Sequence, residues 1–442
     1  MQSVIQLLYP GIRIKRYLSL LIMGIAFMAL GIAYLLTQVY RTQPFPEYVG
    51  VLTLQFIDRP IRGVLFLVVG TLIAGFGLVR LNRALLDPFV ANSRYSLLRA
   101  LLENQNRQRG PKIVAIGGGT GLSTLLRGLK EHTHNLTAIV SVADDGGSSG
   151  ILRRDLGVLP PGDLRQCLLA LADVEPLMSK LFSYRFESGD LRGHSFGNLF
   201  LVAMMGVNGN LERALAESSR VLAVRGRILP TTLDSITLCA EFDDGRIVEG
   251  ESEITKSGEG RRIKRLFCRP ETPAAHPEAI AALLDADMIV IGPGSLYTSV
   301  MPNLLVHDLV RAIKNSPAVK VYVCNVATEH GETDEYTIAD HVRVLDETFG
   351  PDLFRYVLAN GNPAVHLPVG SKARPVPVDV SGLDRSRFEP VFADLVSGDD
   401  PVMHDSRKLA RALLGLYASR RQKNAGRLVE STDIEERERA LA

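Results

Sequence analysis

The chain has 442 residues, more than one small core requires, so more than one structural unit is expected. Its 50 Lys and Arg stand against 48 Asp and Glu for a formal net charge of +2, which argues against nucleic acid as a partner, because gripping a phosphate backbone takes a concentrated basic surface. Hydrophobic residues make up 46% against 22% charged, and the excess sits at the front of the chain.

Residues 17–39, YLSLLIMGIAFMALGIAYLLTQV, carry no charge and are long enough to cross a hydrocarbon layer of roughly 30 Å. A second apolar run, placed at 63–81, follows Arg62 and ends around Arg80; its Gly70, Thr71, Gly75 and Gly77 let a neighbouring helix approach closely. No small-residue cleavage site follows the first run, which sets a signal peptide aside. Residues 1–83 are therefore expected to form a transmembrane hairpin. Arg13, Lys15 and Arg16 before it and Arg80, Arg83, Arg94 and Arg99 after it favour a cytoplasmic body, and so a two-span protein of the plasma (inner) membrane. Residues 84–111 read as a linker with a short amphipathic helix that breaks at Gly110-Pro111. Such a helix lies along the membrane or pairs with a second copy, so a homo-oligomer is expected.

From Lys112 onward, short Ile- and Val-rich runs alternate with helical patterns. Strands are predicted at 112–116, 137–142, 288–291, 319–324 and 355–359, in the manner of a parallel sheet with crossover helices. Residues 234–254 instead carry two alternating runs around Asp244-Gly245, a hairpin signal. The expected architecture is Rossmann-like α/β, three layers around a mostly parallel sheet with a β-hairpin insertion, preceded by two transmembrane helices. The body is placed at 112–418 and a charged tail at 419–442. Cys167, Cys239, Cys268 and Cys324 are far apart and form no C-x-x-C pair, so they read as buried reduced thiols.

Ligands of an open parallel sheet bind outside the carboxyl ends of its strands. The first strand leads into Gly117-Gly118-Gly119-Thr120-Gly121 and a helix. These glycines fail the G-x-G-x-x-G spacing, since Leu122 or Thr124 stands where the third glycine belongs, and no G-K-[ST] follows. A dinucleotide dehydrogenase is thereby disfavoured, but amides delivered to a helix N-terminus still suit an anion. The second strand leads into Asp144, Asp145, Gly146, Gly147, Ser148 and Ser149. The two carboxylates point opposite ways on an extended backbone, so one of them is expected to meet a ribose hydroxyl or Mg²⁺ beside a diphosphate. The third leads into Gly292, Gly294, Ser295 and Tyr297, the last to stack on a base or to pack. The fourth leads into NVATEHGETDEYT, and all four turns should line one rim.

Asp163 reads as a helix N-cap, Arg165 as a residue able to reach a phosphate, and Arg192, His194, Ser195 and Asn198 as a cluster among glycines ahead of an apolar helix. Asp144, Asp145 and His194 are the catalytic candidates. No G-x-S-x-G elbow occurs. No cofactor is required by this reading, with Mg²⁺ as an optional companion.

Together KIVAIGGGTGLSTLLRGLK, SVADDGGSSGILRRDLGVLPPGDLRQCLLAL, GHSFGNLFL and IGPGSLYTSVMPNLLV resemble the YvcK-type gluconeogenesis factors, which sit with the CofD-like 2-phospho-L-lactate transferases. The likeness covers about 112–418. It implies binding of a nucleotide diphosphate compound, UDP-N-acetylglucosamine in the YvcK branch, and a regulatory role in cell shape and growth on gluconeogenic carbon. In the CofD branch it implies transfer of a phospholactyl-type group from a nucleotide diphosphate donor. Carried over residue by residue, Gly118, Gly119, Thr120, Gly121, Asp144, Asp145, Asn198, Gly292, Gly294 and Ser295 match the shared motifs, and Gly146, Gly147 and Ser148 join them as ligand-binding candidates. The hairpin is a departure from the usual cytosolic members. Another is Met403-His404-Asp405 where relatives carry Arg-His-Asp, which leaves Arg407 or Arg374 to replace that grip on the nucleotide sugar.

Overall fold

The computed structural model of the chain describes residues 105–422 apart from 174, 175, 363–366, 368 and 369, together with scattered positions between 23 and 76. The chain divides into two units, Met1–Leu97 and Leu98–Ala442. Most of the two stretches expected to form a transmembrane hairpin lies outside the described residues, and among the described residues no helix is long and apolar enough to cross a membrane. Of the second stretch, residues 63–65, 68–73, 75 and 76 are helical. Residues 423–442, most of the predicted tail, also lie outside the described residues.

In the second unit, strand β1 (Ile113–Gly117) enters helix α1 (Gly119–Leu129), and β2 (Leu136–Val140) leads to α2 (Gly147–Leu156) and α3 (Gly162–Leu171). Helix α4 (Phe196–Asn208) precedes β3 (Arg227–Pro230). Next come β4 (Thr237–Phe242), β5 (Ile247–Glu249), α5 (Glu251–Ser257) and β6 (Ile263–Arg269). The chain then returns through β7 (Met288–Ile291), β8 (Val319–Val323), β9 (Tyr356–Asn360) and β10 (Glu389–Ala393). Seven strands form one sheet in the order β10-β9-β8-β7-β1-β2-β3, with every neighbouring pair parallel. The predicted strands are all present within a residue or two, and β3 and β10 are additions at the two edges.

Side-chain alternation along these strands builds two cores. Val114, Ile116, Ile139, Ile289 and Ile291 face one side, under the helices Pro277–Leu284, His307–Asn315 and Ile338–Phe349. Ile113, Ala115, Ala138, Met288 and Val290 face the other, under α1, α3 and the helix over 406–422. The predicted hairpin forms with β4 antiparallel to β5, and β6 pairs with β4 to make a separate three-stranded sheet. Its second arm is short, because Glu251 already opens α5. All four cysteines are buried and unpaired.

Helix α1 meets the start of the 406–422 helix at Gly128, where an added Cβ would stand 2.7 Å from the Ser406 carbonyl carbon and 2.9 Å from Ala410 Cβ. Alanine there gains about 1 kcal/mol in helix propensity but forces two backbones apart, which costs about 1–3 kcal/mol. Gly128→Ala is expected to lower the denaturant midpoint despite its better propensity; a rise would show that the helices separate freely.

Candidate functional site

Because β2, β1, β7 and β8 are parallel neighbours, the turns that follow them leave from one edge of the sheet. The β1 and β7 turns touch. Ile116 pairs with Ile291, the Gly292 N–H returns to the Ile116 carbonyl at 2.8 Å, and a Cβ on Gly121 would lie 2.5 Å from the Pro293 carbonyl oxygen. No residue but glycine fits at 121 without pushing the turns apart. The β7 turn contains a cis Gly292-Pro293 bond and holds Gly292 at φ +79° and Gly294 at φ +154°, backbone that disfavours any side chain. It continues as a π-helical turn, Leu296–Val300, with Ser295 at its N-cap. Asn303 fastens the set. Its Nδ2 donates to the Gly117 carbonyl at 3.1 Å and the Ser299 carbonyl at 2.8 Å, while Thr231 beyond β3 donates to its Oδ1.

In two of the turns, an amide that the sequence reading offers to an anion is taken by an oxygen of the chain: Gly146 N–H by Asp144 Oδ1 at 2.9 Å, and Gly294 N–H by Asn325 Oδ1 at 3.2 Å. In the first turn the Asp163 carboxyl packs against Gly118 and Gly119. Asp163 is not an N-cap: Pro161 holds that position, and Asp163 sits in the first turn of α3 facing the glycines. Asp144 and Asp145 diverge. Asp144 lies against Gly162, its Oδ2 2.9 Å from where a Cβ would stand, with Ser149 as a further hydrogen-bond partner. Asp145 turns to α5, where its Oδ1 accepts the Ser252 N–H at 3.0 Å and the Ser252 hydroxyl at 2.8 Å.

The α2 N-terminus opens with Gly147 at φ +45°. Ser148 there accepts from Asn198 Nδ2 at 3.1 Å and lies 3.1 Å from His194 Nδ1. Ser195 caps α4 by accepting the Asn198 N–H. His194 is thus tied to the α2 entrance. Arg165 is packed against Gly197, with its Nη1 donating to the Phe182 carbonyl at 3.4 Å and its Nε without a hydrogen-bond partner among the described residues. Thr120 is exposed and donates to Gln166 Oε1 at 3.2 Å. Tyr297 packs: it is 3% exposed, and its hydroxyl meets that of Tyr336 at 2.9 Å.

The site's charge is acidic, more so than the sequence reading foresees. Burial, and then the neighbouring Asp144 charge, push Asp163 up to about 6. Burial also raises Asp144, against hydrogen bonds from Gly146 and Ser149. Glu251 is raised well above the usual range by burial and then by the charges of Asp144, Asp163, Asp145 and Glu332. Glu332 is pushed up to about 7, chiefly by burial. Its Oε1 accepts from Thr298 at 2.8 Å and Thr255 at 3.0 Å, while Oε2 has no partner among the described residues. Glu329 is raised by burial, against the lowering effect of the nearby Ser295 hydroxyl. Glu251 is not signalled by its local sequence, and packing alone brings it here; Glu332 lies in the turn after the fourth strand, which the sequence reading sets on this rim. Arg374 is exposed and lines a separate hollow of about 640 Å³ with Arg262, Tyr336 and Glu332. His404 is buried and pushed down to about 4 by that burial. Arg407 is exposed.

Comparison with known proteins places this geometry. Residues 113–396 match the family model of 2-phospho-L-lactate transferase CofD. A putative gluconeogenesis factor of Nostoc sp. is 46% identical over 421 residues, 93% of this chain and 92% of that protein. The gluconeogenesis factor of Bacillus subtilis is 48% identical over 315 residues, 69% of this chain and 98% of its own length. The crystal structure of a UPF0052 family member from Bacillus halodurans is similar with a TM-score of 0.66 at 46% identity, over 69% of this chain and 99% of that one.

Because the fold raises Glu332 above its ordinary value, the protonated form is favoured when folded. The stability this carries is complete below the ordinary carboxylate range and is lost as pH rises towards about 7. The loss amounts to something on the order of 3 kcal/mol. Glu332→Gln keeps the oxygen facing Thr298 and Thr255 and cannot ionise, so its Tm should gain on the parent's from pH 5 to pH 8. Parallel Tm–pH curves would refute the assignment.

Proposed function

The chain belongs to the CofD-like family, within its gluconeogenesis-factor branch, and from that premise we propose that the cleft at the β1, β2 and β7 ends binds a nucleotide diphosphate sugar, UDP-N-acetylglucosamine. The observation that carries the reading is the contact of the Gly121 and Pro293 turns, which presents bare backbone at a helix entrance. Such a surface suits a pyrophosphate. Mg²⁺ is an optional companion in this reading, beside Asp144 or Asp145. The protein acts as a sensor in this reading, reporting sugar-nucleotide supply to machinery for cell shape and carbon use. Membrane anchoring of the first unit is part of the proposal. It is supported by the exposed apolar side chains Val64, Leu72, Ile73 and Phe76 in the helical positions of the second apolar stretch.

A second reading, transfer of a phospholactyl-type group from a nucleotide diphosphate donor, is favoured by the buried carboxyl of Asp163, which burial and the Asp144 charge push up to about 6, a value that suits proton transfer near neutral pH. Calorimetry of the full chain in nanodiscs with UDP-N-acetylglucosamine, with and without Mg²⁺, tests the first reading. Saturable binding is expected, weakened at least tenfold by Gly121→Ala. Heats indistinguishable from dilution for every UDP-sugar tried would overturn it. Consumption of the nucleotide in the presence of an acceptor would move the assignment to the second.

A further inference from the structure

The hollow that holds Arg374 is lined by none of the β1 or β7 glycines. It lies between the turn from α5 into β6 on one side and, on the other, the segment after β8 and the stretch around Arg374. Backbone packing fixes its walls. A Cβ on Gly258, just past α5, would stand 2.8 Å from the Gly331 carbonyl carbon, which pins the end of α5 to the turn after β8. Thr328 N–H donates to the Arg374 carbonyl at 2.7 Å, and Arg374 N–H returns to the Thr328 hydroxyl at 3.0 Å. The result is a preformed space of about 640 Å³, the size of a small-molecule site.

The charges around it fall into two groups. Glu259 lies 3.5 Å from Lys372 Nζ and 3.3 Å from His330 Nε2, and Asp334 accepts the Gly331 N–H at 2.7 Å. These are committed to one another at the rim. Arg262 and Arg374 are not. Both are exposed, and neither guanidinium makes a hydrogen bond or ion pair among the described residues, although Asp243 and Glu335 also line the hollow. Two guanidiniums carry more donors than one carboxylate can use, whereas a phosphate monoester brings three acceptor oxygens.

Glu332 supplies the second observation. It lines the same hollow and is 5% exposed. Its Oε1 accepts from Thr298 and Thr255, while its Oε2 is buried with no partner among the described residues. A buried oxygen without a donor is unfavourable, and a ligand hydroxyl in the hollow would relieve it. Thr298 belongs to the π-helical turn after β7, so whatever restrains the Glu332 carboxyl also restrains that turn.

We propose that this hollow is a second ligand site, for a small hydroxylated phosphate monoester: Arg262 and Arg374 take the phosphate, Glu332 Oε2 takes a hydroxyl, and the Glu332–Thr298 bond passes occupancy on to the β7 turn. The site does not depend on the nucleotide-sugar reading of the cleft; it gives that cleft a separate input.

The test is calorimetry of the full chain in nanodiscs with three probes: glycerol 3-phosphate, inorganic phosphate and glycerol. Thermal melts verify that each variant is folded. Glycerol 3-phosphate is expected to bind saturably, at least tenfold more tightly than inorganic phosphate, with glycerol silent. Arg262→Ala and Arg374→Ala should each weaken it at least tenfold, and Glu332→Gln should erase its advantage over inorganic phosphate. Amide exchange over 294–300 should slow severalfold with glycerol 3-phosphate in the parent chain and not in Arg262→Ala. No heat from glycerol 3-phosphate overturns the site, as does binding that persists undiminished in both arginine variants. Equal affinity for the ester and for inorganic phosphate overturns the Glu332 contact. Unchanged exchange over 294–300 with the ester bound overturns the coupling and leaves the site standing.

Discussion

A contact between two stretches of backbone governs this sheet edge. β1 and β7 are neighbours at the centre of the sheet, and the turns that leave them meet at Gly121 and Pro293 with no space for a β-carbon. Backbone against backbone brings polar groups together that neither turn can satisfy by itself. The partners come from a distance: Asn325 beyond β8 and Asn303 reaching back to the Gly117 carbonyl, while the Asp163 carboxyl from α3 packs against Gly118 and Gly119. The turns, the helix starts behind them and the side chains that brace them therefore form one unit, and displacing any member disturbs the rest.

Charge is the second constraint. Asp144 and Asp145, Asp163 and Glu332 arrive from three separate segments and act on Glu251 together. A fold selected for stability alone has little reason to gather acids at one edge, since each buried carboxyl resists ionisation. Their roles divide by geometry. Asp145 serves the first turn of α5 and is accounted for by that bond. Asp144, held by the Gly146 N–H, and Asp163, packed against Gly118 and Gly119, are both raised by burial, and perturbed acids in such positions are where function concentrates.

The central strands are legible in the sequence because burial on both faces demands unbroken Ile and Val runs, as in Ile113–Gly117 and Met288–Ile291. The edge strands are not. β3 begins with exposed Arg227, and β10 is partly or fully exposed along its whole length, so neither carries the apolar signature. The glycine turns are local features and could be read; the groups packed against them could not, because Asn325 reaches the Gly294 amide and Asp163 reaches Gly118 and Gly119 by packing across tens of positions. Asp163 shows the limit well. Its place at a helix start is visible in PPGDLRQ, but Pro161 takes the cap and frees the carboxylate to turn towards a different strand.

The same edge also has a packed floor. The aromatic residue of the β7 turn is committed elsewhere: Tyr297 is buried, its ring in edge contact with Tyr336 at 6.4 Å between centroids and its hydroxyl bonded to the Tyr336 hydroxyl. Tyr336 in turn packs edge-on against His341. These rings stiffen the floor of the turn instead of facing an incoming molecule. The rim of carboxylates, hydroxyls and glycine backbone thus stands over an aromatic floor that is packed and hydrogen-bonded within itself.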